Sequence, residues 1–203
     1  MPTLQDIMLP EPGIGEILEP HSLFGDGRSL ELEIGSGKGT FLLRRAQAMP
    51  DRGFLGIEWA NKYCTYAADR MARWGVTNVR LMRTDAAHLV RRHLPPACFD
   101  IIHIYHPDPW PKKRHHRRRL IQPPFLAAAV DRLTPGGRIA IQTDHADYFE
   151  QIQEVAGGEA RLKQVPFDVP EAGVEEGRVQ TKFATKYLRE GREIYQLALQ
   201  RIA

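Results

Sequence analysis

The 203-residue sequence predicts a single α/β domain built on a mostly parallel, doubly wound sheet. Three observations predict it. From Ser29 onward, short β-type runs alternate with helical patterns. The run from Phe99 to Tyr105 is nearly all apolar, as a strand covered on both faces must be. The first strand also runs directly into a glycine-rich turn and then a helix, an order that places ligands at the C-terminal edge of such sheets.

The elements follow in order. Residues 1–28 are rich in Pro and Gly, lack periodicity and read as an extended N-terminal arm, which leaves 29–203 as one domain. Ser29 to Ile34 is the first strand, Gly35 to Gly39 the turn, and Thr40 to Ala48 the first helix. Gly53 to Ile57 is a second strand, and Ala60 to Arg73 a long amphipathic helix. Val79 to Met82, Ala86 to Arg92 and Phe99 to Tyr105 continue the alternation. Pro107, Pro109 and Pro111 forbid regular structure, and Pro123-Pro124 is expected to interrupt any helix formed by the basic stretch before it. Phe125 to Leu133 is helical and ends at Thr134-Pro135-Gly136-Gly137. Arg138 to Gln142 is a strand and Ala146 to Val155 a helix. Two further strands are expected near Leu162 to Pro166 and Ile194 to Leu199.

Composition narrows the class. Apolar residues at 42% and charged residues at 26% support a sizeable core and exclude wholesale disorder. The longest apolar run, Phe125 to Val130, is far short of the roughly 20 residues of a helical membrane span. Pro2, Asp6, Pro10, Glu11 and Pro12 break any secretory-leader pattern, so a cytoplasmic protein is expected. With only Cys64 and Cys98, neither a disulfide scaffold nor a cysteine-based zinc site is expected.

The net charge of +3 hides an asymmetry. Lys112, Lys113, Arg114, Arg117, Arg118 and Arg119 fall within eight residues, with His115 and His116 between them. Such density reads either as a solvated face or as a polyanion site. Nucleic acid is preferred over lipid, because no amphipathic apolar stripe accompanies it.

Three constellations carry chemistry. In Glu33-Ile34-Gly35-Ser36-Gly37-Lys38-Gly39 the spacing is G-x-G-x-G, not the G-x-G-x-x-G of dinucleotide sites. Glu33 beside the turn suits a cationic or amine-bearing ligand better than a pyrophosphate. Glu58 ends the second strand, where a carboxylate can accept both ribose hydroxyls, and Asp85 ends the third, where one can meet an adenine amino group. Either acid alone would read as a helix cap; three at consecutive strand ends point to a nucleoside site. Finally, Tyr105-His106-Pro107-Asp108-Pro109-Trp110-Pro111 sets a carboxylate and an indole on a stiff loop, the equipment for holding an extruded base.

These residues resemble a family. Glu33 with its glycine turn, and the stretch Asp108-Pro109-Trp110-Pro111-Lys112-Lys113-Arg114-His115-His116-Arg117-Arg118-Arg119-Leu120, are similar to the bacterial tRNA (guanine-N7-)-methyltransferases from about Phe24 to the C-terminus. The resemblance implies a Rossmann-like class I S-adenosylmethionine-dependent methyltransferase fold with an antiparallel C-terminal strand. It implies that Glu33, Gly35, Gly37, Gly39, Glu58, Asp85 and Asp108 line the S-adenosylmethionine site, with Asp108 catalytic. It implies tRNA contacts from Lys112, Arg114, His115, Arg117, Arg118 and Asp144, and from Thr181, Lys182, Phe183 and Ala184. In that last motif the family usually carries Glu where this chain has Ala184. No metal, membrane or obligatory protein partner is expected. On the residues alone, two other classes stay open. One is a nicotinamide-dependent oxidoreductase, against which stand the glycine spacing, Glu33 and the short chain. The other is a non-catalytic nucleic-acid module, which leaves the strand-end acids without a role.

Overall fold

The computed structural model describes residues 1–25, 27–167, 190–191 and 193–202. Its centre is an eight-stranded sheet made of β1 (Met8–Leu9), β2 (Leu30–Ile34), β3 (Gly53–Glu58), β4 (Val79–Arg83), β5 (Phe99–Tyr105), β6 (Leu133–Thr143), β7 (Leu162–Val165) and β8 (Tyr195–Arg201). The spatial order is β1-β4-β3-β2-β5-β6-β8-β7. Strands β1 to β6 pair in parallel, whereas β8 pairs antiparallel with both β6 and β7.

Two layers of helices cover the sheet. On one face α2 (Thr40–Ala48) and α3 (Asn61–Arg73) bury Leu42, Leu43, Ala67 and Met71 against Phe54 and Leu81. Buried α3 positions Cys64, Ala67, Ala68 and Met71 recur at helical spacing, and the small alanines let the helix lie close to the strands. On the other face α4 (Ala86–Arg92), α5 (Pro123–Arg132) and α6 (Ala146–Gly157) pack on Leu32, Ile57, Ile102 and Ile139. A sheet apolar on both faces explains the uniform burial of β2 and the near-continuous apolar run of β5.

Three local expectations are corrected. The leading segment is not simply extended. Thr3 caps a single helical turn, α1 (Leu4–Ile7), which buries Ile7, and β1 then pairs with β4 at the sheet edge, Met8 opposite Leu81. Pro123 and Pro124 do not interrupt a helix; they begin α5, in the first turn, where a missing N–H costs no intrahelical bond. The Thr134–Gly137 segment is not a free turn. It is absorbed into β6 as an irregularity, with Phe99 opposite Leu133 and Ile101 opposite Arg138.

The topology places the site. The chain runs β2, β3, β4 in one direction across the sheet, then returns so that β5 lies on the other side of β2. Connections leaving β2 and β5 therefore diverge, opening a crevice at the C-terminal ends of these strands.

Candidate active site

The glycine turn forms one wall of that crevice. Gly35, Gly37 and Gly39 all hold positive φ, at 79°, 54° and 66°. At Gly39 a side chain would strike Met71 and Ala67 of α3, so this glycine serves helix packing. At Gly37 a side chain would only touch the Gly35 carbonyl oxygen, at 4.0 Å, and at Gly35 it would meet nothing, so the requirement at both is the backbone conformation.

Glu33 lies on β2 just below the turn, 4% exposed, and its Oε2 has no hydrogen-bond partner. Burial raises its carboxyl to about 8; Ser36 pulls the other way, and the nearby Glu58 charge adds to the rise. A buried carboxyl with an unpartnered oxygen beside the glycine turn can ionise against a ligand bearing positive charge. Glu58, at the end of β3, is fixed by two backbone donors: Gly37 N–H to Oε2 and Ala60 N–H to Oε1, each at 2.8 Å. Its carboxylate thus ties the glycine turn to the start of α3, and each oxygen can accept one further hydrogen bond. Asp85 is exposed and caps α4, accepting from the His88 N–H at 2.7 Å.

The facing wall follows β5. His106 and Trp110 adopt positive φ, 51° and 44°, uncommon for residues with side chains and characteristic of loops held by their surroundings. Between them Asp108 is exposed and makes no hydrogen bond or ion pair among the described residues. The indole of Trp110 is not an open plate. Arg118 stands 5.0 Å over its ring, and His115 meets its edge at 5.9 Å.

The basic stretch forms a 3-10 turn over Lys113–Arg118 in which Arg114, Arg117 and Arg118 are exposed and His115 is half-buried. Arg119, expected with the others to face polyanion, is instead buried. Its guanidinium donates to Pro109 O and Gln151 Oε1, both at 2.8 Å, bonds the Asp147 carboxylate, and lies over the Tyr148 ring. Arg119 holds the Asp147 carboxyl below its ordinary range. One cation of the run therefore anchors the Asp108 loop to α6.

Asp144, beyond β6, lies 3.4 Å from His106 Nδ1. Gln142 Nε2 sits 2.9 Å from His106 Nε2, and Gln196 donates in turn to Gln142 Oε1 at 3.1 Å. Since Gln142 Nε2 can only donate, His106 Nε2 accepts and Nδ1–H faces Asp144. Burial lowers the His106 pKa, against the pull of Asp144.

A second polar group underlies the crevice. Glu31, fully buried on β2, bonds Arg45 at 2.9 and 3.0 Å, Arg52 at 3.1 Å and His103 Nε2 at 2.8 Å; His103 Nδ1 is 2.7 Å from the Tyr105 hydroxyl. Burial alone would raise the Glu31 carboxyl, but His103 and Arg45 outweigh it and hold it at about 2. Burial lowers the His103 pKa, against the pull of Glu31.

Sequence reasoning missed Arg119, His106 and the Glu31 network. Glu31 and His103 had a signal: a charged and a titratable residue in strands otherwise buried on both faces must find partners. Thr181, Lys182, Phe183 and Ala184 lie outside the described residues. Among the described residues no group of three or more His, Cys, Asp and Glu is placed to hold a metal, and no helix is long and apolar enough to cross a membrane.

A glycine turn above a buried acid, at the switch point of this strand order, defines a class I S-adenosylmethionine-dependent methyltransferase fold. The antibiotic-resistance methyltransferase Kmr shares it with a TM-score of 0.61 at 18% identity, over 88% of this chain and 89% of that one. A family model described as "Putative methyltransferase" matches residues 27–197. The tRNA (guanine-N(7)-)-methyltransferase of Halorhodospira halophila is 38% identical over 199 residues, 93% of this chain and 80% of that protein. Its namesake from Bordetella pertussis is 40% identical over 184 residues, 91% and 72% of the two chains. The chain belongs to the tRNA (guanine-N7-)-methyltransferase family.

Proposed function

We propose that this protein transfers a methyl group from S-adenosylmethionine to N7 of a guanosine in tRNA, in the cytoplasm, and that by family resemblance the target is the variable-loop guanosine. The observation that carries this reading is the pairing across one crevice of two unlike walls. On one side are the buried Glu33 carboxyl with an unpartnered oxygen and the open glycine turn; on the other are exposed Asp108 and the basic 3-10 turn.

The residues fit the cofactor. Glu33 would face its cationic portion, Gly35 and Gly37 leave room for close backbone approach, and Glu58 and Asp85 offer acceptors to the nucleoside. S-adenosylmethionine supplies an electrophilic methyl group on a sulfonium centre.

Guanine N7 carries an in-plane lone pair, so no strong base is needed to create the nucleophile. The protein's task is alignment, which can lower a barrier by several kcal/mol. Asp108, fixed between Pro107 and Pro109, stabilises the positive charge that appears on the base as its N7 becomes methylated. Asp144, oriented by His106, offers an acceptor to the base edge. Lys112, Arg114, His115, Arg117 and Arg118 meet the tRNA backbone, with Thr181, Lys182, Phe183 and Ala184 completing the substrate contact.

The test is incubation of the purified chain with unmodified bulk tRNA and methyl-labelled S-adenosylmethionine, followed by nucleoside analysis. Label in 7-methylguanosine is expected; label in another nucleoside, or none, contradicts the reading. Thermal shifts with S-adenosylmethionine and with NAD separate this from the oxidoreductase alternative, because only a ligand that binds the folded state stabilises it.

A further inference from the structure

On the rim of the crevice opposite the basic 3-10 turn, three large aromatic rings stand in solvent. Trp59 follows Glu58 at the end of β3, and Tyr63 and Tyr66 lie three residues apart early in α3, 43% and 46% exposed. Lys38, from the glycine turn, places its Nζ 5.9 Å from the Tyr63 ring centre and 5.6 Å from that of Tyr66. Arg83, at the end of β4, lies 6.0 Å over Trp59.

These rings do nothing for the core, which α3 serves through Cys64, Ala67, Ala68 and Met71. Three exposed aromatics on one rim are a patch and not the single scattered residues any surface carries. Apart from Glu58 at its inner edge, its charged groups are cations without acidic partners. Among the described residues no carboxylate comes within ion-pair distance of Lys38, Lys62 or Arg83, and the neighbouring helix acid Asp69 is already paired with Arg73 at 2.8 Å. Aromatic faces interleaved with cations suit unpaired nucleobases, whose rings stack while their phosphates meet the ammonium groups. A second copy of this chain would bring the same cations against themselves, because a two-fold interface matches like with like. The patch is also continuous with the crevice: Lys38 and Glu58 flank it, and Gly37 N–H bonds Glu58. The ends of β3 and β5, which lead into the patch and the basic stretch, are two strand spacings apart, roughly 10 Å. The patch and the basic turn thus bracket the position of the reacting base.

We propose that Tyr63 and Tyr66, with Lys38 between their rings, form a second RNA contact that stacks unpaired bases flanking the target guanosine. The inference rests on the reading of the chain as a tRNA methyltransferase. Trp59 adjoins the cofactor wall, so its substitution would mix two effects; the tyrosines give the clean test.

The experiment measures tRNA binding by fluorescence anisotropy for the parent, Tyr63→Ala/Tyr66→Ala and Tyr63→Phe/Tyr66→Phe, each across a salt series. The alanine pair should weaken tRNA binding by roughly 5- to 100-fold, the range for losing one base stack, with the salt slope unchanged. The phenylalanine pair should stay within about twofold of the parent, since phenyl and phenol rings stack alike. Retained binding of S-adenosylhomocysteine by calorimetry verifies that each variant is folded. Parent-like tRNA affinity in the folded alanine pair overturns the proposal alone. So does equal loss in the phenylalanine pair, or concentration-dependent self-association of the RNA-free parent that the alanine pair abolishes. A parent that fails to bind tRNA contradicts the underlying functional reading, and the inference falls with it.

Discussion

Arg119 Nε donates to the carbonyl of Pro109 at 2.8 Å, so a residue from the densest positive stretch of the chain fastens the loop that carries Asp108. The same guanidinium reaches Asp147 and Gln151 on α6. Arg119→Met should therefore cost about 3 kcal/mol of stability, the scale of breaking a buried charged hydrogen-bond group. Arg119→Lys should rescue little, because an ammonium cannot reproduce the three-way fork. Urea denaturation measures the stability. The salt slope of tRNA binding should not move; a slope reduced by about one unit would make Arg119 a phosphate ligand after all.

Arg117 and Arg118 should behave in the opposite way. Both are exposed, and neither supports the core. Neutralising the pair should leave stability within about 0.5 kcal/mol and flatten the log K versus log salt slope for tRNA by up to about two units. Arg118 also covers the Trp110 ring, so Arg118→Ala alone should change indole fluorescence. A parent-like salt slope would return the stretch to the role of a solvated face.

Glu33 is expected to oppose stability to binding. Its carboxyl titrates near 8 in the folded protein against 4.5 for an unburied glutamate. Between these values the folded state holds a proton that the unfolded state has released. Its contribution is therefore fully present below about pH 4.5 and is lost as pH rises toward 8. Glu33→Gln escapes that loss, so relative to the parent it should gain about 2–4 kcal/mol between pH 5 and pH 8. The same variant should bind S-adenosylhomocysteine at least about tenfold more weakly, for want of a charge partner. Denaturation curves that shift in parallel for both proteins across this range would remove Glu33 as the titrating group.

Glu31 has the reverse sign. Held at about 2 by His103 and Arg45 despite its burial, it contributes stability above pH 4.5 that disappears as pH falls toward 2. Glu31→Gln should lose about 3–5 kcal/mol at pH 7, since it leaves Arg45 buried beside a neutral group. The variant should also show a shallower acid transition than the parent. Equal acid profiles would show that another carboxylate controls this limb.

The parallel sheet and its glycine turn were legible because both are written locally. Glu33-Ile34-Gly35-Ser36-Gly37 shows a strand, a left-handed turn and the acid beneath it in consecutive residues. The edge strand β1 was not legible: two residues, Met8 and Leu9, carry no period, and only the exposed edge of β4 gives them a partner. Pro123 and Pro124 were misread because proline breaks a helix interior yet opens a helix start, and local sequence does not say which position it occupies. In the site, the acids Glu33, Glu58, Asp85 and Asp108 could be selected by their places at strand ends. Arg119 could not be told from Arg117 and Arg118, since its burial depends on Pro109, Asp147 and Gln151 arriving from ten to thirty-two residues away. His106 was hidden for the same reason, its partners Gln142, Asp144 and Gln196 being brought together only by strand pairing.

The central claim is that the crevice between Glu33 and Asp108 performs methyl transfer to guanine N7 and that Asp108 acts in that step. The most direct measurement is single-turnover formation of 7-methylguanosine in tRNA by the parent and by Asp108→Asn, with both substrates saturating. The asparagine is close in size and sits in an exposed loop stiffened by Pro107 and Pro109, so the fold and tRNA affinity should persist. Loss of one preorganised electrostatic contact should lower the rate about 10²–10³-fold. An Asn variant that forms 7-methylguanosine at the parent rate would contradict the account, leaving Asp108 as a turn residue with no part in the chemistry.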